Sequence, residues 1–537
     1  MTNDEHYDAV VVGSGFGGSV SAYRLADAGL SVLLLERGRS WAPGSFPRNP
    51  REIGKNFWNP DKGLYGLFDV WSFKGIEALV SSCLGGGSII YANVFIRKPP
   101  ESFVHEDGED WPVTREELER HYDNVEAIVK PQSYPFAEPP YSRTPKTHAM
   151  QDAAGVLGLD WSLPKLAVTF GNPNERPYPG LPIADGENLH GVPRYTCRLC
   201  GECNIGCNLG SKNTLDLNYL TLFERKQGEI RTLAEAKKLA PLPGGGYTIE
   251  YVDHAEGVET RRTVTAARVV LSAGSFGTTY LLLRNRDTLG NLSPALGKSW
   301  CGNGDLLGFL KRSGRILDPA CGPVITSATR YDGEQGRGYY VEDGGYPNFA
   351  NWLLETTDAK GVIRRASRFA WRRFRQLVLD DPASNVSAEL SNLVGDARTS
   401  SCTLPLLGMG RDVPDGRLYL DKNGKWLQND WTIKTSRAYY ASVRRSMRAL
   451  ADALDAKFET QPLWYFKRNV TVHPVGGCPM GSTPERGVVD PYGQVFGHPG
   501  LSIADGSVLP GPVGPNPSFT IAALADRFAD RILEQAR

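Results

Sequence analysis

No stretch of this 537-residue chain reaches the roughly 18 consecutive apolar residues that a membrane-spanning helix needs. Neither charge is in excess: 60 Lys plus Arg stand against 60 Asp plus Glu. There is therefore no broad basic field to collect nucleic acid. The opening residues, MTNDEHYDAVVVG, lack the basic n-region, apolar core and small-residue cleavage site of a secretory leader. A cytoplasmic protein with reduced cysteines is expected. Histidine is scarce, at eight residues, which narrows the search for a group that titrates near neutral pH. Glycine is abundant: 59 residues imply many tight turns and close backbone approaches, as in a large cofactor enzyme. The length exceeds what one hydrophobic core supports, so two domains are expected, possibly interleaved in sequence.

The strongest local signal is YDAVVVGSGFGGSVSAYRLADAGLSVLLLERG near the start. AVVVG reads as a strand buried on both faces. Gly13, Gly15 and Gly18 give G-x-G-x-x-G at the strand-to-helix turn. In that motif the first glycine permits the turn, the second lets backbone N–H groups reach a pyrophosphate, and the third lets helix and strand pack closely. A helix from about Ser19 to Ala28 is predicted, then a strand ending at Glu36, where a carboxylate can accept both hydroxyls of a ribose. A dinucleotide is indicated; the motif by itself does not separate FAD from NAD.

Three further stretches decide between them. LGGGSIIYANVFIR (84–97) is a glycine-rich loop running into an extended segment. RVVLSAGSFGTTYLLLRN (268–285) is a buried strand, a small-residue turn and a helix. HPVGGCPMG (473–481) is followed by LSIADGSVLPGPVGPNPSFTIAALADRFADRI (501–532). Together with the N-terminus, and in the same order, these resemble the glucose–methanol–choline (GMC) flavoprotein oxidoreductases, in particular the cholesterol oxidase branch and its bacterial relatives. The resemblance spans nearly the whole chain. It implies an α/β (α+β) fold: a Rossmann-like FAD-binding domain from residues 1–110, 211–310 and 461–537, interleaved with a substrate domain on a large antiparallel sheet from residues 111–210 and 311–460.

The same resemblance assigns cofactor contacts, position by position. Gly13, Gly15, Phe16, Gly17, Gly18, Glu36 and Arg37 would hold the ADP half. Ala236 would offer a backbone contact to adenine. Gly87 and Ser88 would lie along the flavin, and Asp505 and Gly506 would approach the diphosphate and ribityl chain. Asn516, Pro517 and Ser518 would close on the flavin. Tyr91 stands where the family often has Asn, and Asn93 is the expected substitute.

Oxidising an alcohol requires acceptors for a hydride and a proton at one carbon. The resemblance implies hydride to flavin N5 and proton to His473, the one histidine in a specialised context, TVHPVGGC. Asn516, between Pro515 and Pro517, matches the family's second active-site position. Its amide can bond a substrate oxygen without titrating; capping the helix near Ser518 is the alternative. Glu342, in YYVEDGGYP, resembles a carboxylate that shapes the steroid site and acts in double-bond isomerisation; a strand-end surface Glu is the alternative. The substrate implied is a lipophilic, sterol- or terpenoid-like alcohol, with O2 or another electron acceptor. Non-oxidative family chemistry (a lyase or decarboxylase) and electron transfer through a cysteine-bound cluster are the competing readings.

Two features stand apart. CRLCGECNIGC places Cys197, Cys200, Cys203 and Cys207 at ferredoxin-like spacing. An iron–sulfur cluster is one reading and zinc another. Reduced structural thiols are favoured, because no second cysteine run exists and similar segments recur in FAD-only relatives; no metal ligand is assigned. GVIRRASRFAWRRFRQLV (361–378) divides into an aromatic and an arginine-rich face. Packing on its own domain is favoured over peripheral membrane contact.

Overall fold

A computed structural model describes residues 5–103, 111–184, 186, 188–255, 259–348, 350, 367, 371 and 398–537. The segment 361–378 lies outside the described residues apart from Ser367 and Trp371.

The apolar run Ala9–Val12 lies in strand Glu5–Val12 and is buried on both faces. It sits centrally in a seven-stranded sheet. Parallel neighbours are Val32–Leu35 on one side, itself flanked by Glu229–Arg231, and Thr260–Leu271 on the other. The twelve-residue strand Thr260–Leu271 serves two partners. Its first part pairs antiparallel with Tyr247–Asp253, which pairs with Ala234–Pro241; its last three residues pair parallel with Leu501–Ile503. Segments far apart in sequence thus share one sheet. Helix Phe16–Asp27 packs on it beside Tyr219–Arg225 and Ser518–Ala536. That helix starts three residues before the predicted Ser19. Extended Gly15 is its N-cap, so the glycine loop is already the first helical turn.

A second sheet has six strands, all antiparallel: Lys457–Thr460, Leu306–Lys311, Leu404–Gly410, Tyr339–Asp343, Ala328–Tyr331 and Asp160–Ser162. The amphipathic helix Arg437–Ala453 covers it, seating Val443, Met447 and Leu450 in its core. This is a mixed α/β architecture with one largely parallel nucleotide-type sheet and one antiparallel sheet. Among the described residues no helix is long and apolar enough to cross a membrane.

A small third sheet positions the site. Asn469–Thr471 pairs parallel with Ile76–Ser81, and the chain then passes directly into His473. That point lies beside the start of strand Leu306–Lys311, where Asp305 accepts hydrogen bonds from Thr471, Val472 and His473.

Candidate active site

The glycine loop is built by exclusion of side chains. Gly13 has φ +100°, and a Cβ there would lie 2.3 Å from the Ser272 carbonyl oxygen. One at Gly17 would lie 1.4 Å from Ala504 O, and one at Gly18 1.9 Å from Gly13 O. Gly15 and Gly87 differ: no protein atom lies within 4 Å of where either Cβ would be. Protein contact explains the first three glycines, whereas the gaps at Gly15 and Gly87 suit a ligand's close approach.

Around this loop several predicted residues have visible tasks. Buried Glu36 receives Gly38 N–H on one oxygen (2.8 Å) and Ser14 N–H and Oγ–H on the other (3.1 and 2.6 Å). Arg37 pairs with Asp69 (2.7 Å) and lies over the Trp58 ring. Ala236 sits where strand Ala234–Pro241 bulges out of register, half-buried. Ser88 Oγ donates to Gly85 O and accepts from Leu215 N, so it fixes its own loop. The Phe16 ring packs edge-on to Tyr91, 5.4 Å between centroids. Asp505 accepts from Gly274 N and Thr278 Oγ on one oxygen and from Ser507 N and Oγ on the other. Its carboxylate knots two motif stretches together. The third joins them through Gly476 N–H to Gly506 O, 2.9 Å.

The other side of the site has the opposite character. Asn93, held at φ +73° and fully buried, has no partner for either amide atom among the described residues. The same holds for Asn516 Oδ1, Ser518 Oγ, Tyr91 Oη and both oxygens of Glu342. Buried polar atoms left without partners cost roughly 1–3 kcal/mol each, a cost that a bound polar ligand or water relieves. Helix Ser518–Ala536 takes Pro517 as its N-cap with no side-chain hydrogen bond, so Asn516 is not spent on capping.

Glu342 and Asp343 show how strand alternation separates two acids. Successive side chains point to opposite faces. Asp343 meets Lys146 Nζ at 2.9 Å and accepts from Thr326 and Ser327. Glu342 faces away, and burial pushes its carboxyl well above the usual carboxylate range, with Asp343 adding to the effect. Neighbouring Asn516 favours the ionised form in part, but not in good hydrogen-bond geometry. Burial thus favours the protonated form of Glu342.

His473 Nδ1 lies 2.8 Å from Asp305 Oδ1. Asp305 carries no signal in the sequence reading, nor does Asn303, two residues before it. Asn303 Oδ1 accepts from Val513 N and Gly514 N, and its Nδ2 donates to Pro515 O. One loop, 302–305, thus holds both motif segments. The nearest thing to a signal is Asn303–Gly304, a turn pair with both residues at positive φ, leading into a strand. Two other residues went unforeseen. Lys98, wholly buried, donates to Pro512 O and Val513 O and lies 4.1 Å from the Trp111 ring centroid. Asp412 accepts from Gly302 N, and burial pushes its carboxyl up to about 7.

The cysteine-rich segment has a mechanical explanation. Lys212 Nζ donates to Ile89 O, Tyr91 O and Cys203 O, joining the segment to the glycine-rich loop. Arg48 pairs with Glu202 and donates to Ile205 O and Gly206 O. None of the nine cysteines is in a disulfide, and burial pushes Cys200 up to about 12. Among the described residues no group of three or more His, Cys, Asp or Glu side chains is placed to hold a metal ion.

Two family models, both described as GMC oxidoreductase, match residues 7–298 and 412–525. The chain belongs to the GMC oxidoreductase family. A cholesterol oxidase of Acinetobacter baumannii is 30% identical to this GMC oxidoreductase, over 98% of this chain and 94% of that protein. A 2-methyl-1,2-propanediol dehydrogenase of Mycolicibacterium austroafricanum is 26% identical over 99% and 96%. Among solved structures, pyridoxine 4-oxidase from Mesorbium loti superposes with a TM-score of 0.59 at 18% identity, covering 98% of each chain, and so shares the fold. The family makes this an FAD-dependent alcohol oxidoreductase. The open positions at Gly15 and Gly87 and the partnerless Asn93 and Ser518 fit such a group.

Proposed function

We propose that this GMC oxidoreductase oxidises the hydroxyl of a bulky lipophilic, sterol- or terpenoid-like alcohol to the carbonyl. FAD, when bound, supplies the two-electron acceptor. Gly13, Gly15, Phe16, Gly17, Gly18, Glu36, Arg37 and Ala236 form the ADP side of its site. Gly87, Ser88, Asn93, Asp505, Gly506, Pro517 and Ser518 form the flavin side. His473 takes the hydroxyl proton at Nε2, the nitrogen its partner Asp305 leaves free. Asn516 binds the substrate oxygen through its amide. Glu342, whose carboxyl burial pushes up, donates a hydrogen bond or shapes the wall.

The observation that carries the lipophilic reading is the segment leading into His473. Tyr465 and Phe466 are 69% and 76% exposed, and Val472, beside the histidine, 45%. Exposed apolar side chains at this spot suit a substrate delivered from a lipid surface. Two relatives near 30% identity are named cholesterol oxidases. The test is anaerobic bleaching of the bound flavin by cholesterol, a terpenoid alcohol, 2-methyl-1,2-propanediol and an amino sugar. Preferential bleaching by the first two supports the proposal; bleaching by the small polar alcohols alone sinks it. Readmitting O2, or a dye, then identifies the electron acceptor.

A further inference from the structure

Asp305 is held from several sides. Its Oδ2 receives Val472 N–H at 2.8 Å and His473 N–H at 3.2 Å, and lies 2.9 Å from Thr471 Oγ, whose one hydrogen is shared with Gly302 O at 3.1 Å. Its Oδ1 faces His473 Nδ1 at 2.8 Å. The side chain is 1% exposed, and its own carbonyl is fixed by Asn469 Nδ2 at 2.7 Å. With two backbone N–H groups directed at Oδ2, the geometry is that of a carboxylate acceptor. The atom facing it on the ring must then be an N–H donor. That leaves the lone pair on Nε2, which has no hydrogen-bond partner among the described residues, while the His473 side chain keeps 15% exposure.

We infer that Asp305 is the positioning residue of the reaction: it selects the Nδ1–H tautomer of His473, orients the ring, and stabilises the imidazolium formed when Nε2 takes the substrate proton. This rests on the reading of His473 as the base. A carboxylate on the far nitrogen of a basic histidine does all three things at once. The same carboxylate holds the main chain of residues 472 and 473, so ring and backbone are fixed from one point. Thr471, at the end of the strand paired with Ile76–Ser81, ties that point to the sheet. The other titratable groups that bear on Asp305 are Asp412, Glu342, Cys301, Tyr439 and Tyr440.

The test compares Asp305→Asn, His473→Ala and the double variant as FAD-loaded proteins. It uses stopped-flow flavin reduction across pH, with cholesterol or whichever panel alcohol reduces the wild type fastest. Asp305→Asn should slow reduction on the order of 10²-fold with substrate Kd little changed. It should also move the acid limb of the pH–rate profile to lower pH, because the charge favouring the imidazolium is gone. In the His473→Ala background Asp305→Asn should add little. Equal slowing in both backgrounds, or an unmoved limb, overturns the inference. Should His473→Ala itself be fast, the reading of His473 as base fails instead, which is a separate outcome. If Asp305→Asn does not fold, ¹⁵N-histidine NMR of the wild-type holoenzyme decides. The Nδ1–H tautomer of His473 is expected, and the Nε2–H tautomer overturns the assignment.

Discussion

The two sides of the site fail in opposite ways when altered. On the nucleotide side, Gly13, Gly17 and Gly18 are pressed against carbonyl oxygens of Ser272, Ala504 and Gly13, and almost every close contact is backbone. On the substrate side, Glu342 and Asn516 are buried, and both Glu342 oxygens and Asn516 Oδ1 lack a hydrogen-bond partner among the described residues. The first side is specified by the absence of side chains. The second is marked by polar side chains that the described residues leave unsatisfied, at a cost to stability. The first should respond to substitution by losing the fold or cofactor, the second by losing rate while cofactor stays bound.

The sharpest break is Gly17→Ala. A Cβ 1.4 Å from Ala504 O cannot be accommodated without moving backbone. A loss on the order of 4 kcal/mol or more is expected, seen as insoluble or colourless protein; a yellow, normally melting variant would contradict the packing described. Next comes His473→Ala, which should cut flavin reduction by roughly 10²–10⁴-fold while the ratio of flavin to protein absorbance is unchanged. Asn516→Ala should lose less, on the order of 1–3 kcal/mol of transition-state stabilisation, read from the same stopped-flow traces.

Asp412 offers a pH test. Burial raises its carboxyl from 3.8 to about 7 in the folded state. Between those values the folded protein keeps a proton that the unfolded chain releases, so stability falls as pH rises from about 4 to 7 and is flat above. Asp412→Asn removes that term. The difference in melting between pH 5 and pH 8 should shrink by an amount worth on the order of 2–3 kcal/mol. An unchanged gap would mean that Asp412 is charged in the folded protein. The smallest effect on the protein alone is expected for Gly15→Ala, whose Cβ meets no protein atom within 4 Å. Apoprotein stability should move by no more than about 0.5 kcal/mol, while FAD affinity, by fluorescence titration, drops. Unaltered affinity would erase the distinction between Gly15 and Gly17.

Much of the nucleotide side was legible in the residues. A buried apolar run, glycines at fixed spacing and an acid at the end of the next strand are local features, and they reappear within strands Glu5–Val12 and Val32–Leu35 and the turn between. The error there was one of boundary: the helix begins at Phe16, because glycine at its start reads as loop in sequence. Legibility falls off on the substrate side. His473 and Asn516 stand out through their proline- and glycine-rich surroundings, but Asp305 and Asn303, which hold them, lie 168 and 213 residues away, as 473 − 305 and 516 − 303. Their importance comes from which strands the sheets bring together.

The sequence by itself determined the family, the strand–glycine–helix turn, and the residue types available for proton transfer, because each depends on neighbours a few positions apart. Only the tertiary structure decided that Glu342 is buried without a charged partner among the described residues, its carboxyl pushed up, while Asp343 is paired with Lys146. It also decided that a carboxylate from the start of another sheet's strand stands behind His473. The reason is that charge state and hydrogen-bond partnership follow from burial and from groups remote in sequence. A residue's letter fixes what it can donate or accept; the fold fixes whether anything is there to receive it.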